Sequence, residues 1–297
     1  MNGGLHYILC VLILKMCFRL LPTATAAAIR HSSAGARAEP LVLRNLENGI
    51  LTLTLNNPPK RNALSSAMLL NLHKELKSCS NDDNVRVVLL TSKGDVFSSG
   101  HDLKELVITD DKSKTKQIEI FKSCSEVMCM IQDMAVPVIA QVSGLATAAG
   151  CQLVASCDIA IASEKAKFAV PGVNIGLFCT TPGVALGRAV PRKVAMEMLL
   201  TGQPISADEA LRHGLISRVV SPELLEEETI KIAQRICEGS RSVLSMGKAA
   251  FQMQMNMDRD AAYYYAEKIM ISNLNKEDGQ EGIKSFLEKR RPQWCHK

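Results

Sequence analysis

The first 38 residues contain no aspartate or glutamate, although they carry Lys15, Arg19, Arg30 and Arg37. This lack of acid, with the Ser/Ala-rich stretch RHSSAGARAEP at its end, is typical of a mitochondrial transit peptide. The stretch YILCVLILKMCFRLL is strongly apolar, so a secretory signal or a membrane anchor is the competing interpretation. Two basic residues interrupt that stretch, which makes it too short and too broken to predict a membrane span. We expect residues 1–38 to direct the chain to the mitochondrial matrix.

The sequence has no C-x-x-C pair, although it contains ten cysteines. These cysteines are scattered along the chain, and several lie inside apolar runs. In a chain of 297 residues this pattern predicts reduced and mostly buried thiols in an intracellular compartment rather than a set of disulfides.

An excess of charge is also missing from the body of the chain. The net charge is +5, but without the four basic residues near the N-terminus 31 basic residues face 30 acidic ones. This balance argues against a protein that mainly binds nucleic acid. The segment DDKSKTKQ (110–117) holds three lysines, but acidic residues flank them. We therefore interpret it as a solvated surface ahead of a helix.

From about residue 40 the chain alternates between strand-like and helix-like segments, which predicts an α/β core. Strands are expected at 50–55, 86–91, 137–142 and 157–163, and helices at 65–79, with Ser65 as N-cap, and at 116–134. Beyond residue 190 one strand is expected at 215–220, and helices at 192–201, 206–213, 222–238, 241–257, 260–275 and 278–289. We predict a core over 39–220 and a helical C-terminal region over 221–297.

Two loops rich in small residues each follow a predicted strand: FSSGHDLKEL (97–106) and SGLATAAGCQL (143–153). Small side chains let backbone N–H groups approach a ligand closely. If a helix begins near Ala148, the N–H of Ala149 lies in its first turn, where no carbonyl of the helix accepts it. Such an N–H is a good donor to a developing negative oxygen. Each loop alone is equally typical of a tight strand–helix connection, and Asp102 is best interpreted as a turn former.

Several longer blocks occur in an order that points to a family: NNPPKRNALS, VFSSGHDLKEL, VPVIAQVSGLATAAGCQLVASCDIAIAS, KFAVPGVNIGLFCTTPG, LTGQPISADEALRHGLISRVV and QEGIKSFLEKRRPQW. From about residue 42 to its end the chain resembles the enoyl-CoA hydratase/isomerase (crotonase) superfamily. The resemblance implies an α/β spiral of repeated ββα units, with a helical C-terminal region that assembles trimers, often stacked as hexamers. It also implies an acyl-CoA thioester as ligand, a place in fatty-acid metabolism, and no separate cofactor or metal.

The resemblance assigns roles to particular positions. The backbone N–H groups of His101 and Ala149 would be the two donors of an oxyanion hole. Phe286 and Lys289 would reach the CoA of a neighbouring subunit. The contacts to CoA would come from Lys60, Ala63, Leu64, Ser99, Leu103 and Lys104. For the basic residues, an ordinary solvated surface is the alternative interpretation.

The acids that hydration needs are absent. Where hydratases of the family place two glutamates, this chain has Gln152 and Gly172, and Asn174 stands where one isomerase type places an aspartate. Glutamine can hold a water but cannot take up its proton near neutral pH, and glycine can do neither. General acid–base catalysis contributes about 10²–10⁴-fold per group, so we do not expect standard hydratase activity.

The remaining chemistry is open between several hypotheses. An oxyanion hole stabilises any thioester enolate, including one formed by loss of CO₂, so decarboxylation or thioester cleavage is one of them. Some decarboxylating members of the family also carry a histidine at the position of His101. Those decarboxylases have in addition an associated tyrosine, and near its position this chain has Cys179, which weakens the parallel. The ring of His101 would there bind a substrate carboxylate or reprotonate the enolate, unless it is merely packed. Three more hypotheses stay open: Cys179 acts as a nucleophile, the chain binds acyl-CoA without catalysis, or a water held by Gln152 supports residual hydration.

Overall fold

The computed structural model describes residues 39–80 and 82–297. The predicted transit peptide, residues 1–38, lies outside the described residues together with its apolar run and Cys10 and Cys17. In the part that is described, no helix is both long enough and apolar enough to cross a membrane. All eight cysteines of this part have free thiols, and four of them are buried: Cys79, Cys124, Cys151 and Cys179.

Strands and helices alternate through the first two thirds of the described chain. The strands are β1 (Val42–Glu47), β2 (Ile50–Leu55), β3 (Val87–Ser92), β4 (Val96–Ser98), β5 (Val138–Val142), β6 (Leu145–Thr147), β7 (Ile159–Ser163), β8 (Lys167–Ala169), β9 (Ile205–Ser206) and β10 (Arg218–Val220). The helices are α1 (Ser66–Cys79), α2 (Asp111–Asp133), α3 (Ala149–Ser156), α4 (Thr180–Ala189), α5 (Arg192–Thr201), α6 (Ala207–Arg212), α7 (Leu225–Cys237), α8 (Arg241–Gln254), α9 (Arg259–Leu274) and α10 (Glu277–Leu287). Short 3-10 turns lie at Pro58–Lys60, Leu103–Glu105, Pro171–Ile175 and Pro222–Leu224.

The strands form two sheets that advance together along the chain. The larger has the order β1-β2-β3-β5-β7-β10 and the smaller β4-β6-β8-β9. All neighbours are parallel except β1 with β2 and β8 with β9. Each successive pair, β3/β4, β5/β6 and β7/β8, therefore gives one strand to each sheet. This repetition builds a spiral and confirms the predicted α/β fold.

Both faces of the larger sheet are covered at its centre, which explains why the central strands β3, β5 and β7 are mostly apolar and buried. In β2, the alternating residues Leu51, Leu53 and Leu55 are fully buried in the main core with the apolar face of α1. Ile50, on the other face, packs in a second cluster with Leu225 of α7. Helix α7 thus covers the sheet, although it lies beyond residue 220. The predicted division of the chain at that residue stays a prediction.

The predicted bounds of the central elements are close to the observed ones, except at the start of α2. The Oγ of Ser65 accepts a hydrogen bond from the N–H of Met68 at 3.3 Å, so Ser65 caps α1 as predicted. Helix α2 begins at Asp111, five residues before the predicted start, because Asp110 and Ser113 form a reciprocal capping box. The lysines of this segment therefore lie within the first turns of α2, not ahead of it.

Helices α8 and α9 are the least buried part of the described fold. Neither helix contains a buried residue. Their large exposed apolar side chains are Phe251, Met253, Tyr263, Tyr264, Met270, Ile271 and Leu274. Two neighbouring helices with such a surface have an apolar area that the described residues of a single chain leave uncovered.

One ion pair attaches α8 to the core. The Nζ of Lys248 donates to Asp158 Oδ2 at 2.7 Å, to the carbonyl of Ile131 at 2.7 Å and to that of Val136 at 3.0 Å. The same carboxylate oxygen accepts the N–H of Val138 at 2.7 Å. The two charged side chains are only 8% and 18% exposed. Removing one partner would leave the other charge largely shielded from water without compensation.

We expect Lys248→Met to lower the free energy of unfolding by about 2–3 kcal/mol, because it leaves the largely shielded carboxylate of Asp158 without its partner. Adding Asp158→Asn should recover part of the loss. Urea unfolding followed by circular dichroism measures both effects. Lys231→Met is the matched control, since Lys231 pairs with Glu227 and Glu228 at the exposed surface of α7. Equal losses for the two lysine variants would contradict the structural role of the buried pair.

Candidate functional site

Three neighbouring strands of the smaller sheet end at one cavity. The strands β4, β6 and β8 are parallel, so their carboxyl ends meet at the same edge. The residues that follow them, Ser99, Ala149 and Gly172 among others, line a cavity of about 730 Å³. Three loops that are distant in sequence thus share one site because of strand order alone.

Most of the predicted site residues line this cavity: Lys60, Ala63, Ser99, His101, Leu103, Lys104, Ala149 and Gly172. Four others do not. Leu64 is fully buried beside the cavity, and Gln152, only 5% exposed, lies on α3 outside the lining. Phe286, 82% exposed at the end of α10, lines a separate apolar groove. Lys289 follows α10 and lines neither space.

The turn into α3 holds Ala148 in an unusual backbone conformation. Its φ of 50° and ψ of −119° are disfavoured for a residue with a side chain, at a cost of about 1–3 kcal/mol. Two hydrogen bonds keep it there: its N–H donates to the carbonyl of Ala169 at 2.9 Å, and its carbonyl accepts the N–H of Gln152 at 3.0 Å. The helix then begins at Ala149, as the sequence predicts to within one residue. The N–H of Ala149 therefore belongs to the first turn of α3.

Gly100 lets the first loop approach this turn. Its φ of 85° is in the left-handed region, and an added Cβ would lie 2.9 Å from the Cβ of Ala148 and 3.2 Å from the nitrogen of Ala149. The peptide that links Gly100 to His101 is therefore adjacent to the peptide of Ala149. No acceptor among the described residues takes the N–H of His101 or of Ala149. Two unused donors side by side are the arrangement that an oxyanion hole requires.

The ring of His101 is packed beside the cavity. Its Nδ1 lies 3.3 Å from the carbonyl oxygen of Leu64, and its edge meets the ring of Phe121 at a centroid distance of 5.0 Å. Its Nε2 is buried and has no hydrogen-bond partner among the described residues. Burial lowers the pKa of His101 below its usual value, which favours the neutral ring. In this arrangement the Nε2 is not available to bind a substrate carboxylate.

The position of Gly172 is closed to a side chain. An added Cβ would lie 2.7 Å from the carbonyl oxygen of Leu177 and 2.8 Å from the Sγ of Cys179. The N–H of Gly172 donates to that sulfur at 3.3 Å, and its carbonyl accepts the N–H of Leu177 at 2.9 Å. The segment 177–179 therefore fills the space where a side chain at residue 172 would begin. The sequence gives no sign of this closure.

Cys179 lines the cavity just before α4, but its environment does not favour a thiolate. Burial raises the pKa of the Cys179 thiol, and the hydrogen bond from Gly172 offsets this only in part. No ionisable base donates to or accepts from its sulfur among the described residues. The observed contact gives the sulfur a packing role against Gly172 rather than that of a nucleophile.

Charge is confined to one end of the cavity lining. The charged residues are Lys60, Arg61, Asp102 and Lys104, whereas the wall from Pro171 to Pro182 contributes no charged side chain. Asp102 lies 3.4 Å from the Nζ of Lys60 and accepts the N–H of Lys104 at 3.1 Å, so it forms the turn that the sequence predicts. The cavity suits a ligand with an anionic end and an uncharged, apolar end.

Some of the lining was missed at the sequence level. Arg61 and the apolar side chains of Leu106, Phe121, Ile175, Leu177 and Phe178 also line the cavity. The block that contains residues 175–178 carries the family resemblance, but apolar letters in a loop do not show which way a side chain faces. Within the described residues, no group of three histidine, cysteine, aspartate or glutamate side chains is placed to hold a metal ion.

Comparison with known proteins agrees with this geometry. The mitochondrial enoyl-CoA hydratase domain-containing protein 3 of Mus musculus is 55% identical over 264 residues, which cover 89% of this chain and 87% of that protein. The mitochondrial enoyl-CoA hydratase of Pongo abelii is 32% identical over 289 residues, covering 94% of this chain and 96% of that protein. The crystal structure of human enoyl Coenzyme A hydratase domain-containing protein 3 matches with a TM-score of 0.83 at 54% identity, over 86% of this chain and all of that one.

The family model for enoyl-CoA hydratase/isomerase matches residues 45–297, which is nearly all of the described chain. The resemblance noted in the sequence is thereby confirmed. The chain belongs to the enoyl-CoA hydratase/isomerase family.

Proposed function

We propose that this chain binds an acyl-CoA thioester and does not catalyse the standard hydration of an enoyl-CoA. The thioester oxygen would lie between the N–H groups of His101 and Ala149. The observation that carries this proposal is the contact of Gly100 with the peptide of Ala149, which brings two unused donors together. Phosphates of CoA would lie against Lys60 and Lys104, and the acyl group against the uncharged wall.

The loss of hydration follows from the two acid positions. Gln152 has a neutral side chain whose Oε1 is buried without a partner, and it lies outside the cavity lining. Gly172 has no side chain, and the backbone of Leu177 occupies the place of one. With no group to activate water or to deliver a proton, the addition of water loses two contributions of about 10²–10⁴-fold each. These features equally disfavour residual hydration through a water on Gln152.

Enolate chemistry without acids is the second candidate function. The pair of donors favours it, because such a pair stabilises a negative oxygen, whether in the enolate left by decarboxylation or in the tetrahedral intermediate of thioester cleavage. The wall from Pro171 to Pro182 offers no cation for a second carboxylate, and the Nε2 of His101 is buried. These two observations make a non-catalytic acyl-CoA binder the preferred form of the proposal.

The relatives and the N-terminal composition support a location for this function. The mouse protein carries the word mitochondrial in its name, and residues 1–38 have the composition of a transit peptide. We place the protein in the mitochondrial matrix, in fatty-acid metabolism.

Calorimetry with octanoyl-CoA, malonyl-CoA and free CoA tests the proposed ligand. We expect octanoyl-CoA to bind at least about tenfold more tightly than CoA. One hydrogen bond and the burial of a small apolar area account for a gain in affinity of this size. Malonyl-CoA should bind no better than CoA, because its carboxylate finds no cation. Mass spectrometry should show no product from either thioester. Rapid formation of acetyl-CoA from malonyl-CoA would instead establish the second candidate.

A pair of glycine variants separates the oxyanion site from general backbone strain. Gly100→Ala should abolish the preference for the thioester over CoA, because its methyl group would push the two donors apart. Gly94→Ala is the matched control: its φ is 81°, close to that of Gly100, but its Cβ would meet only Pro58. Both variants should lose stability, and only the first should lose the preference.

We expect no gain in hydration when both acids are put back with Gln152→Glu and Gly172→Glu. A glutamate at residue 172 must displace the carbonyl of Leu177, so it cannot reach the cavity from the present backbone. The assay follows the ultraviolet absorbance of crotonyl-CoA. Gln152→Glu alone is the control, because glutamate has nearly the same shape as the glutamine that it replaces. A large increase in the double variant would show that the cavity wall adapts and would refute the closure.

We further propose that the chain assembles as a trimer or a stacked hexamer. Helices α8 and α9 support this, since neither has a buried residue and both expose large apolar side chains. Phe286 and Lys289 on or after α10 would then reach the CoA of a neighbouring subunit.

Native mass spectrometry should show three or six copies, and Ile271→Glu on α9 should shift the mass toward the monomer by placing a charge in the apolar surface. A monomeric wild-type chain would rule out the assembly without affecting the proposed ligand.

A further inference from the structure

Leu64 and the Gly100–His101 peptide are joined by two hydrogen bonds. The N–H of Leu64 donates to the carbonyl of Gly100 at 2.7 Å. In return, the Nδ1 of His101 lies 3.3 Å from the carbonyl oxygen of Leu64. Leu64 is itself fully buried in the main core, just before α1. The peptide that supplies one proposed oxyanion donor is therefore fastened to a fixed part of the molecule.

This fastening determines where the N–H of His101 points. In a trans peptide the C=O of one residue and the N–H of the next point in opposite directions. Because Leu64 holds the carbonyl of Gly100, the N–H of His101 must point away from Leu64. The second bond, from the imidazole to the carbonyl of Leu64, resists rotation of the same peptide.

The tautomer of His101 follows from its partner. A carbonyl oxygen only accepts hydrogen bonds, so the Nδ1 must carry the proton. In the neutral ring the Nε2 then has a lone pair, and it is buried without a partner beside Phe121. Protonation would place an N–H there with no acceptor, and burial of the ring independently lowers the pKa of His101. The charge of Glu105 favours the cation, but that carboxylate is paired with Lys116 at 3.2 Å.

We propose that the His101 imidazole is a positioning residue, neutral and protonated on Nδ1, which aims its own backbone N–H at the thioester oxygen. It exchanges no proton with the ligand. This inference rests on the proposed function, and it assigns to the side chain a task different from binding a substrate carboxylate or reprotonating an enolate.

Three variants of similar size test which nitrogen acts. His101→Asn keeps a donor at the position of Nδ1, His101→Gln places its amide near the position of Nε2, and His101→Leu has no donor. We expect the Asn variant to keep the preference for octanoyl-CoA over CoA within about threefold, and the Gln and Leu variants to lose about tenfold of it. Each preference is the ratio of the two affinities measured on the same variant, so a general loss of binding cancels. Retention by Gln together with loss by Asn would overturn the proposal.

The infrared stretch of a carbon-13-labelled thioester carbonyl gives a readout that simple destabilisation would not move. Binding to the wild-type and Asn proteins should lower its frequency, because aligned N–H donors polarise the carbonyl. The Leu variant should show a smaller shift at ligand saturation. An equal shift in the Leu variant would show that the imidazole does not aim the donor.

Nitrogen-15 spectra of the histidine rings test the tautomer even if no thioester binds. We expect a proton on Nδ1 of His101 and none on Nε2 at about pH 7, with any titration displaced below the pKa of an ordinary histidine. A proton on Nε2, or titration near the ordinary pKa, would refute the inference in any case. If octanoyl-CoA binds no better than CoA while the Nδ1 proton is confirmed, the proposed ligand fails and the assigned tautomer stands.

Discussion

The close contact between two peptide units, one at Gly100–His101 and one at Ala148–Ala149, is the constraint on which the site depends. The space between them leaves no room for a Cβ at residue 100, and the backbone at Ala148 is held in a conformation that a residue with a side chain rarely adopts. The conformation of Ala148 is unfavourable for local stability, whereas Gly100 adopts its positive φ without steric cost. Both features place two backbone donors next to each other, so the local strain and the proposed binding function have the same structural origin.

The fold brings these two peptides together through its backbone, and the one side chain proposed to act on them is that of His101, which orients its own N–H. The order of β4, β6 and β8 in the smaller sheet brings three loops to one edge, and the larger sheet carries the buried core. Backbone N–H groups persist whatever the side chains are. The two donors therefore do not depend on which side chains stand at residues 152 and 172, so the proposed ligand site is compatible with the neutral Gln152 and Gly172.

The sequence predicted the elements that have a clear period or a clear cap. Strand β2 alternates leucines, and α1 begins at a serine cap, so both were predicted nearly to the residue. The start of α2 was misplaced because its first turns are polar and only the capping pair marks them. Strands of three residues such as β4 are too short to show a period. The closure at Gly172 depends on the backbone of Leu177, and the packing of the His101 ring depends on Leu64 and Phe121. Neither can be recognised from residue types alone.

The closure at Gly172 also limits the order in which substitutions could change this chain. A single replacement of the glycine meets the carbonyl of Leu177, which no side-chain rotation can move. Shortening Cys179 first would remove the sulfur but not that carbonyl. A path toward a side chain at residue 172 must therefore begin with a change that redirects the backbone of residues 175–178, before any benefit at the site exists. In evolutionary terms, the present loop blocks any single-step route to a side chain at residue 172.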